Sequence, residues 1–554
     1  SLAVVSGCDS ILDKGPLDSF TNDNFWTGEG NISGYANAFY EQFLGYGNGN
    51  GYGDFYFKTL SDDQAGMSFA KWTYPDNAPS TSATWKNGWI EVRRANIMLE
   101  NVPTVASLDE ATKNHWLGVA RLMRAWQYYH LVRMYGNLPW IDKALNINDE
   151  GEIYGNREDR DMVMDKVLED LDFAVTNIKD ISSKTTWSRS LANAMKAEVC
   201  LYEGTFRKYR KNEDGQQAPD ATGAARYLTA CKEACLAVMS KGYKLNTSYQ
   251  GNYNSTDLSS NPEMILYKAY KEGLLMHSTI DYTCSSTQIS GMSKNAFESY
   301  LFKDGKPMAL TSLNKSDEAP FQYGHLSLKD ILAVRDKRLA QTIDTVLLYN
   351  GRGFTRFNTG MESTSSTGYG VAKYDNEAIP EGFRSQSGKN YTHAPLFWLS
   401  VIYLNYAEAC AELGNITQDD LDKSINLLKD RAGLPHLNPI VGFSDPANNH
   451  GVSDLIWEIR RERRCELMFD NDNRYWDLIR WHQLDKLDTT KYPDIILGAN
   501  VANDMDGCEA NKVGKYIDGS KDGSRIYDKK HYLYPIPTGQ IALNPQLAPN
   551  NPGW

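Results

Sequence analysis

No apolar run in this 554-residue chain approaches the roughly 18 residues that a bilayer-crossing helix needs, so a transmembrane helix is excluded. Basic charge is in short supply: 58 Lys and Arg face 70 Asp and Glu, a formal net charge of −12. With no cationic excess to neutralise phosphates, nucleic acid and anionic membrane surfaces are excluded as partners. Cysteine is sparse: positions 8, 200, 231, 235, 284, 410, 465 and 508 include no Cys-x-x-Cys pair, and no paired-His spacing suggests zinc. Those at 200, 231, 235, 410 and 465 fall in helical patterns and read as small buried hydrophobes. Catalytic signatures are missing too. There is no His-Glu-x-x-His, no Gly-x-Ser-x-Gly and no phosphate loop, and the glycines from 45 to 53 never form Gly-x-Gly-x-x-Gly. Asp504-Met505-Asp506-Gly507 and the stretch from Asp518 to Gly523 have a calcium-loop flavour without the ligand series ending in Glu, and read as acidic turns. Neither cofactor nor metal is expected.

What is present is aromatic and helical. The 33 Tyr and 13 Trp combine flat apolar faces with polar tips, which suits ligand platforms as well as cores. Between Leu455 and Trp481, Glu458, Glu462 and Glu466 recur every four residues among Arg460, Arg461, Arg463 and Arg464. A helix brings these opposite charges together, while Leu455, Ile456, Ile459 and Leu467 supply an apolar stripe, so some pairs lie beneath neighbouring helices. A buried ion-pair network is the expected role; a catalytic one is the alternative. Asp470-Asn471-Asp472-Asn473 then breaks the helix before a second one opens at Tyr475.

Three stretches read as helix hairpins. Trp116, Ala120, Met123 and Trp126 share a face before Gly136, and Val167, Leu171, Ala174 and Ile178 form the return. Ala194, Ala197 and Leu201 precede Gly204, followed by Leu228, Cys231, Cys235 and Val238 before Gly242. Leu399, Ile402, Tyr406, Ala409 and Leu413 lead into Gly414, and Thr417 with Asp420 resembles a capping box starting a helix through Leu421, Ile425 and Leu428 to Gly433. Ala at the close contacts suggests tetratricopeptide-like packing, though no copy carries the full consensus. The fold class is therefore mostly α, with hairpins at about 85–242 and 396–482 and a loop-rich insertion at about 245–395, where only Leu328 to Ala340 reads as helical. The segments from Gly45 to Gly53 and Ser363 to Gly370 read as flexible loops. Residues 1–8 look like the remnant of a secretory leader, and 9–554 are expected to form a single domain.

The segment from Arg460 to Trp481 resembles the C-terminal signature of the SusD/RagB-like family, through Arg460, Arg461, Arg463, Glu466 and Leu467, then Arg474, Asp477, Leu478, Arg480 and Trp481. The acidic-Gly of the family is replaced by Asp470-Asn471-Asp472-Asn473, which Asn accommodates because it tolerates left-handed backbone. Thr84-Trp85, Arg93-Arg94-Ala95-Asn96, Tyr135-Gly136-Asn137-Leu138-Pro139, Tyr534-Pro535-Ile536-Pro537 and Asn550-Asn551-Pro552-Gly553-Trp554 extend the similarity along the chain. Leu2 to Cys8 resembles a lipobox, so Cys8 is the expected lipid attachment point.

The resemblance implies a cell-surface, lipid-anchored outer-membrane protein that binds a glycan without cleaving it and passes it to a SusC-like TonB-dependent transporter. The membrane is then touched only through the anchor. An aromatic platform is expected from the loop after the first helix, with Asp62, Asp63, Lys71, Trp72 and Tyr74, and from the insertion, with Tyr282, Tyr300, Phe321 and Tyr323. Two other readings stay open: a helical glycoside hydrolase, with paired carboxylates across a cleft, and a pure protein-interaction scaffold.

Overall fold

In a computed structural model the described residues are 24–57, 60–66, 75–212, 216–284, 291–313, 327–348, 365–502, 511–520 and 523–554. The chain is mostly helical and divides into two units. One comprises residues 1–43, 74–238 and 528–554; the other comprises 44–73 and 239–527. The hairpins expected at 85–242 and at 396–482 thus fall in different units.

Long helices build the first unit. Its opening helix, α1, spans Glu29–Asn37. Ser82, in extended backbone, accepts the Trp85 N–H at 3.2 Å and starts α2 (Ala83–Asn101). Asp109 caps α3 (Glu110–Tyr135), which stops at Gly136 with φ +75°. Trp116, Ala120, Met123 and Trp126 are all buried on α3, and α4 (Arg160–Asn177), whose Val167, Leu171 and Ala174 are buried, packs against it. Next come α5 (Arg189–Tyr209) and α6 (Ala221–Met239). Here the structure corrects the sequence reading, because Gly204 lies inside α5 and stops nothing. A Cβ there would sit 2.7 Å from Leu228 Cγ, so this glycine lets α5 and α6 approach closely. The C-terminal segment closes the α3 end: the Asn551 amide donates to Tyr135 O (2.9 Å) and the Tyr534 N–H to Met134 O (2.8 Å).

Short elements build the second unit: α7 (Thr279–Cys284), α8 (Lys294–Ser299), α9 (Lys329–Ala333) and α10 (Lys337–Thr342). The helix expected from Leu328 to Ala340 is two. Asp336 leaves helical backbone to cap α10, accepting from the Arg338 N–H (2.9 Å). After Met264–Lys268, paired antiparallel with Ala394–Trp398, comes α11 (Leu399–Glu412). The Thr417–Asp420 capping box is present and opens α12 (Gln418–Asp422), but Ser424 interrupts the expected continuation before α13 (Ile425–Ala432), which ends at left-handed Gly433. The Arg/Glu segment forms α14 (Asp454–Glu466), and α15 (Asn473–Arg480) follows a turn with Phe469, Asn471 and Asp472 at positive φ.

The charges of α14 are buried, as its alternation predicts. Glu462 and Glu466 receive Arg338 at 2.6 and 2.7 Å, and Arg338 also grips Asp336 at 2.7 Å. Arg431 joins Glu466 to Glu263; Arg463 reaches Asp477, and Arg480 bonds both Asp477 and Glu408. Burial raises the Glu408 and Glu462 carboxyls, but neighbouring cations (Arg480 first for Glu408, Arg338 first for Glu462) outweigh it and hold both at about 2. Cysteines 200, 231, 235, 410 and 465 are buried, as expected of small core residues, and Cys284 is buried as well.

Candidate functional site

Between Gly45 and Phe57, in the second unit, glycines and aromatics alternate, and the glycines decide the backbone. Gly45, Gly47 and Gly49 lie at φ +57°, +83° and +57°. A Cβ on Gly53 would fall 2.2 Å from Gly45 O, so only glycine lets the two limbs of the loop touch. The Asp54 N–H donates to Gly45 O (2.8 Å), the Gly51 N–H to Asn48 O (3.0 Å) and the Gly49 N–H across to Met276 O (2.8 Å). The Tyr270 and Ser278 hydroxyls donate to Gly47 O and Gly49 O, each at 2.7 Å. This segment, expected to be flexible, is stitched down by hydrogen bonds within itself and to Tyr270, Met276 and Ser278. The described part of the second such segment, Ser365 to Gly370, is also mostly buried.

The stitched loop presents aromatic rings. Tyr52, 52 % exposed, stacks on Phe57 with centroids 4.8 Å apart and an interplanar angle of 27°. Tyr282, on α7, meets Tyr52 edge-on at 5.5 Å and Phe57 at 5.9 Å, and its hydroxyl donates to Asn50 O (2.9 Å). Polar groups meet the same loop: Lys268 Nζ lies 2.8 Å from Asn48 Oδ1, and Gly388, next to exposed Lys389, approaches Asn50. His277, against the Tyr46 and Tyr270 rings, is fully buried, with Nε2 donating to Thr392 O (2.9 Å) and Nδ1 accepting from the Thr279 N–H (3.2 Å). Burial pulls its pKa down to about 3, so the ring stays neutral and acts as a fixed strut. Exposed ring surface on a loop that also carries amide side chains is suited to binding a polar ligand that has apolar faces of its own.

Of the described residues expected at the site, Tyr282 is the one the structure brings to this patch. Asp62 and Asp63 are corrected. Both are buried, Arg474 holding Asp62 in a fork at 2.7 and 2.8 Å and Arg464 holding Asp63 at 2.8 Å. Burial raises the Asp62 carboxyl, but Arg464 and Arg474 prevail and keep it well below the usual carboxylate range. These oxygens serve arginines rather than sugar hydroxyls. Tyr300 is corrected likewise, because it is fully buried with no face open to a ligand. Lys71, Trp72, Tyr74, Phe321, Tyr323 and Cys8 lie outside the described residues. Sequence reasoning missed Tyr52 and Phe57. Their signal was the run Tyr52-Gly53-Asp54-Phe55-Tyr56-Phe57, where aromatics crowd beside glycines that could fix a turn. Among the described residues no cluster of three or more His, Cys, Asp or Glu is placed to hold a metal.

The comparisons agree along the chain. The SusD family matches residues 237–554, and a family described as starch-binding, associating with the outer membrane, matches residues 22–201. The chain belongs to the SusD family. It is 24% identical over 494 residues to the SusD-like protein P38 of Formosa agariphila, spanning 87% of this chain and 89% of that one. A SusD-like protein of Bacteroides ovatus is 24% identical over 498 residues, spanning 85% and 79%. Among solved structures, a SusD-like carbohydrate binding protein of Bacteroides fragilis superposes with a TM-score of 0.70 at 20% identity, covering 95% of this chain and all of that one. A laminarin binding SusD-like protein superposes with a TM-score of 0.56 at 20% identity, over 95% of this chain and all of the other.

Proposed function

We propose that the protein captures a glycan, without cleaving it, on the surface formed by Tyr52 and Tyr282, with buried Phe57 bracing both rings. The observation that carries this reading is the three-ring cluster itself: an exposed tyrosine is braced on two aromatics at the tip of a loop fixed by glycine geometry. Sugar C–H faces lie against such rings, while Asn48, Asn50 and Lys268 meet hydroxyls. Membership in the SusD family and likeness to a structure described as a carbohydrate binding protein support the reading. Trp72 and Tyr74, with Lys71, Phe321 and Tyr323, remain partners proposed from sequence. A shallow patch of this kind binds at about 0.1 to 1 mM, or about −4 to −5.5 kcal/mol.

Cys8 carries the lipid that holds the protein at the outer membrane, and the captured glycan passes to a SusC-like TonB-dependent transporter. The outer-membrane description of the family matched at residues 22–201 supports the location. The acyl chains suffice as an anchor, since each buried methylene contributes about 0.8 kcal/mol.

Replacing Tyr52 and Tyr282 together by Ala should abolish retardation of the protein in glycan-containing native gels with its circular dichroism unchanged. Persistent retardation would place the platform elsewhere. Reducing ends released from the same polysaccharide would favour the hydrolase reading, and Cys8→Ala that still pellets with membranes would remove the anchor.

A further inference from the structure

A cavity of about 530 Å³ opens in the first unit, where the end of α3 and the start of α4 meet α5 and the C-terminal segment. Val132, Phe206 and Leu533 contribute apolar wall, and Arg157, Arg160 and Gln216 contribute polar groups. Two of these polar groups have capacity to spare. Gln216 is only 7 % exposed, yet among the described residues neither its Nε2 nor its Oε1 has a hydrogen-bond partner. A buried amide left in that state is unfavourable and matches a ligand that both donates and accepts.

Arg157 is the second. Its Nε donates to Asn137 O (2.8 Å), Nη1 to Pro549 O (2.9 Å), and Nη2 to Tyr135 O (3.1 Å) and to Asn551 Oδ1. Among the described residues every acceptor is neutral, and one Nη1–H of the fork is left over. Arg160, in the same lining, differs: Glu203 and Asp161 neutralise it, with Nη2 at 2.6 Å from Glu203 and Nη1 at 2.8 Å from Asp161. The cavity therefore carries an uncompensated cation beside an unpaired amide, in a volume typical of small-molecule sites.

We propose that this cavity binds a small polyhydroxylated anion, a sugar acid of the uronic type, with its carboxylate on Arg157 and a hydroxyl on the Gln216 amide. The site is built wholly within the first unit and does not rest on the aromatic patch of the second. Calorimetric titration of the whole protein with D-glucuronate should show binding, while D-glucose and inorganic sulfate should each bind at least tenfold more weakly. Gln216→Leu removes the unpaired amide, so the free protein should melt no lower than wild type while glucuronate affinity falls at least tenfold. Gln216→Glu keeps the shape, adds a repelling charge and carries the test if the leucine variant does not fold. Glucose or sulfate binding as well as glucuronate, or an affinity unchanged in either variant, overturns the proposal.

Discussion

The two units solve the same packing problem by different means. In the first, helices of 18 to 26 residues carry stripes long enough to define their own neighbours. Its ion cluster of Arg160, Asp161, Glu203, Arg207 and Arg210 sits among helices that apolar residues already position. In the second, many elements are four to eight residues long, below the length at which a helix holds itself together in water. There the charges of α14 reach out instead, to Asp63, Arg338, Asn405, Arg431 and Asp445. Hydrophobic burial is non-directional, whereas a forked arginine fixes both distance and angle. A unit made of short pieces is specified by the second kind of contact.

Acid offers the largest test of that contrast. Glu408 and Glu462 titrate at about 2 in the folded protein against an ordinary 4.5, so the unfolded chain binds their protons more tightly. The stability they add is complete above pH 4.5 and is lost as pH falls towards 2. Each contributes on the order of 3 kcal/mol, about 6 together. Asp470 works the other way: burial, opposed by Lys373, raises its carboxyl from 3.8 to about 6, so stability on the order of 3 kcal/mol is lost as pH rises from about 4 to 6 and is fully present again below that window. Hydrogen exchange followed by peptide should show residues 399–480 opening before 110–177 as pH drops below 4.5. Simultaneous opening, or the reverse order, would mean that the charges do not distinguish the units.

Arg338→Met comes next. It keeps most of the side-chain volume but leaves Asp336 without its arginine, while Glu462 retains Lys429 and Glu466 retains Arg431. Stranding a buried carboxylate costs about 3 to 5 kcal/mol. Chemical denaturation should register that loss, with exchange rising first around α10 and α14. A cost below about 1 kcal/mol would reduce the network to a passenger on apolar packing.

How much of this was legible depended on whether a residue's neighbours lie near it in sequence. The α3 and α4 stripes, the Thr417–Asp420 box and the left-handed turn before α15 are local, and they were readable. The burial of the α14 charges followed from charge and apolar residues sharing one helix. The fates of Asp62 and Asp63 did not follow, because Arg464 and Arg474 stand some 400 residues away and nothing local marks a carboxylate as already bound. Tyr300 looked like any loop aromatic until the fold enclosed it. The Gly45 to Gly53 loop was misread for a related reason: glycine permits both flexibility and tight approach, and only the partner backbone decides which.

Gly204 gives the smallest effect and the cleanest sign. Within a helix, Gly→Ala gains up to about 1 kcal/mol from reduced backbone entropy. Gly34, inside α1, has nothing within 4 Å of an added Cβ, so Gly34→Ala should raise stability by about that amount. At Gly204 the same methyl would meet Leu228 Cγ at 2.7 Å and Leu228 N at 3.1 Å, and a backbone atom cannot rotate away. Overpacking of this kind costs about 1 to 3 kcal/mol, which outweighs the propensity gain. Gly204→Ala should therefore lower the melting temperature while Gly34→Ala raises it, two identical changes in helices of one unit moving in opposite directions. If both variants are stabilised, α5 and α6 have room to part, and the first unit is looser at that contact than its apolar stripes imply.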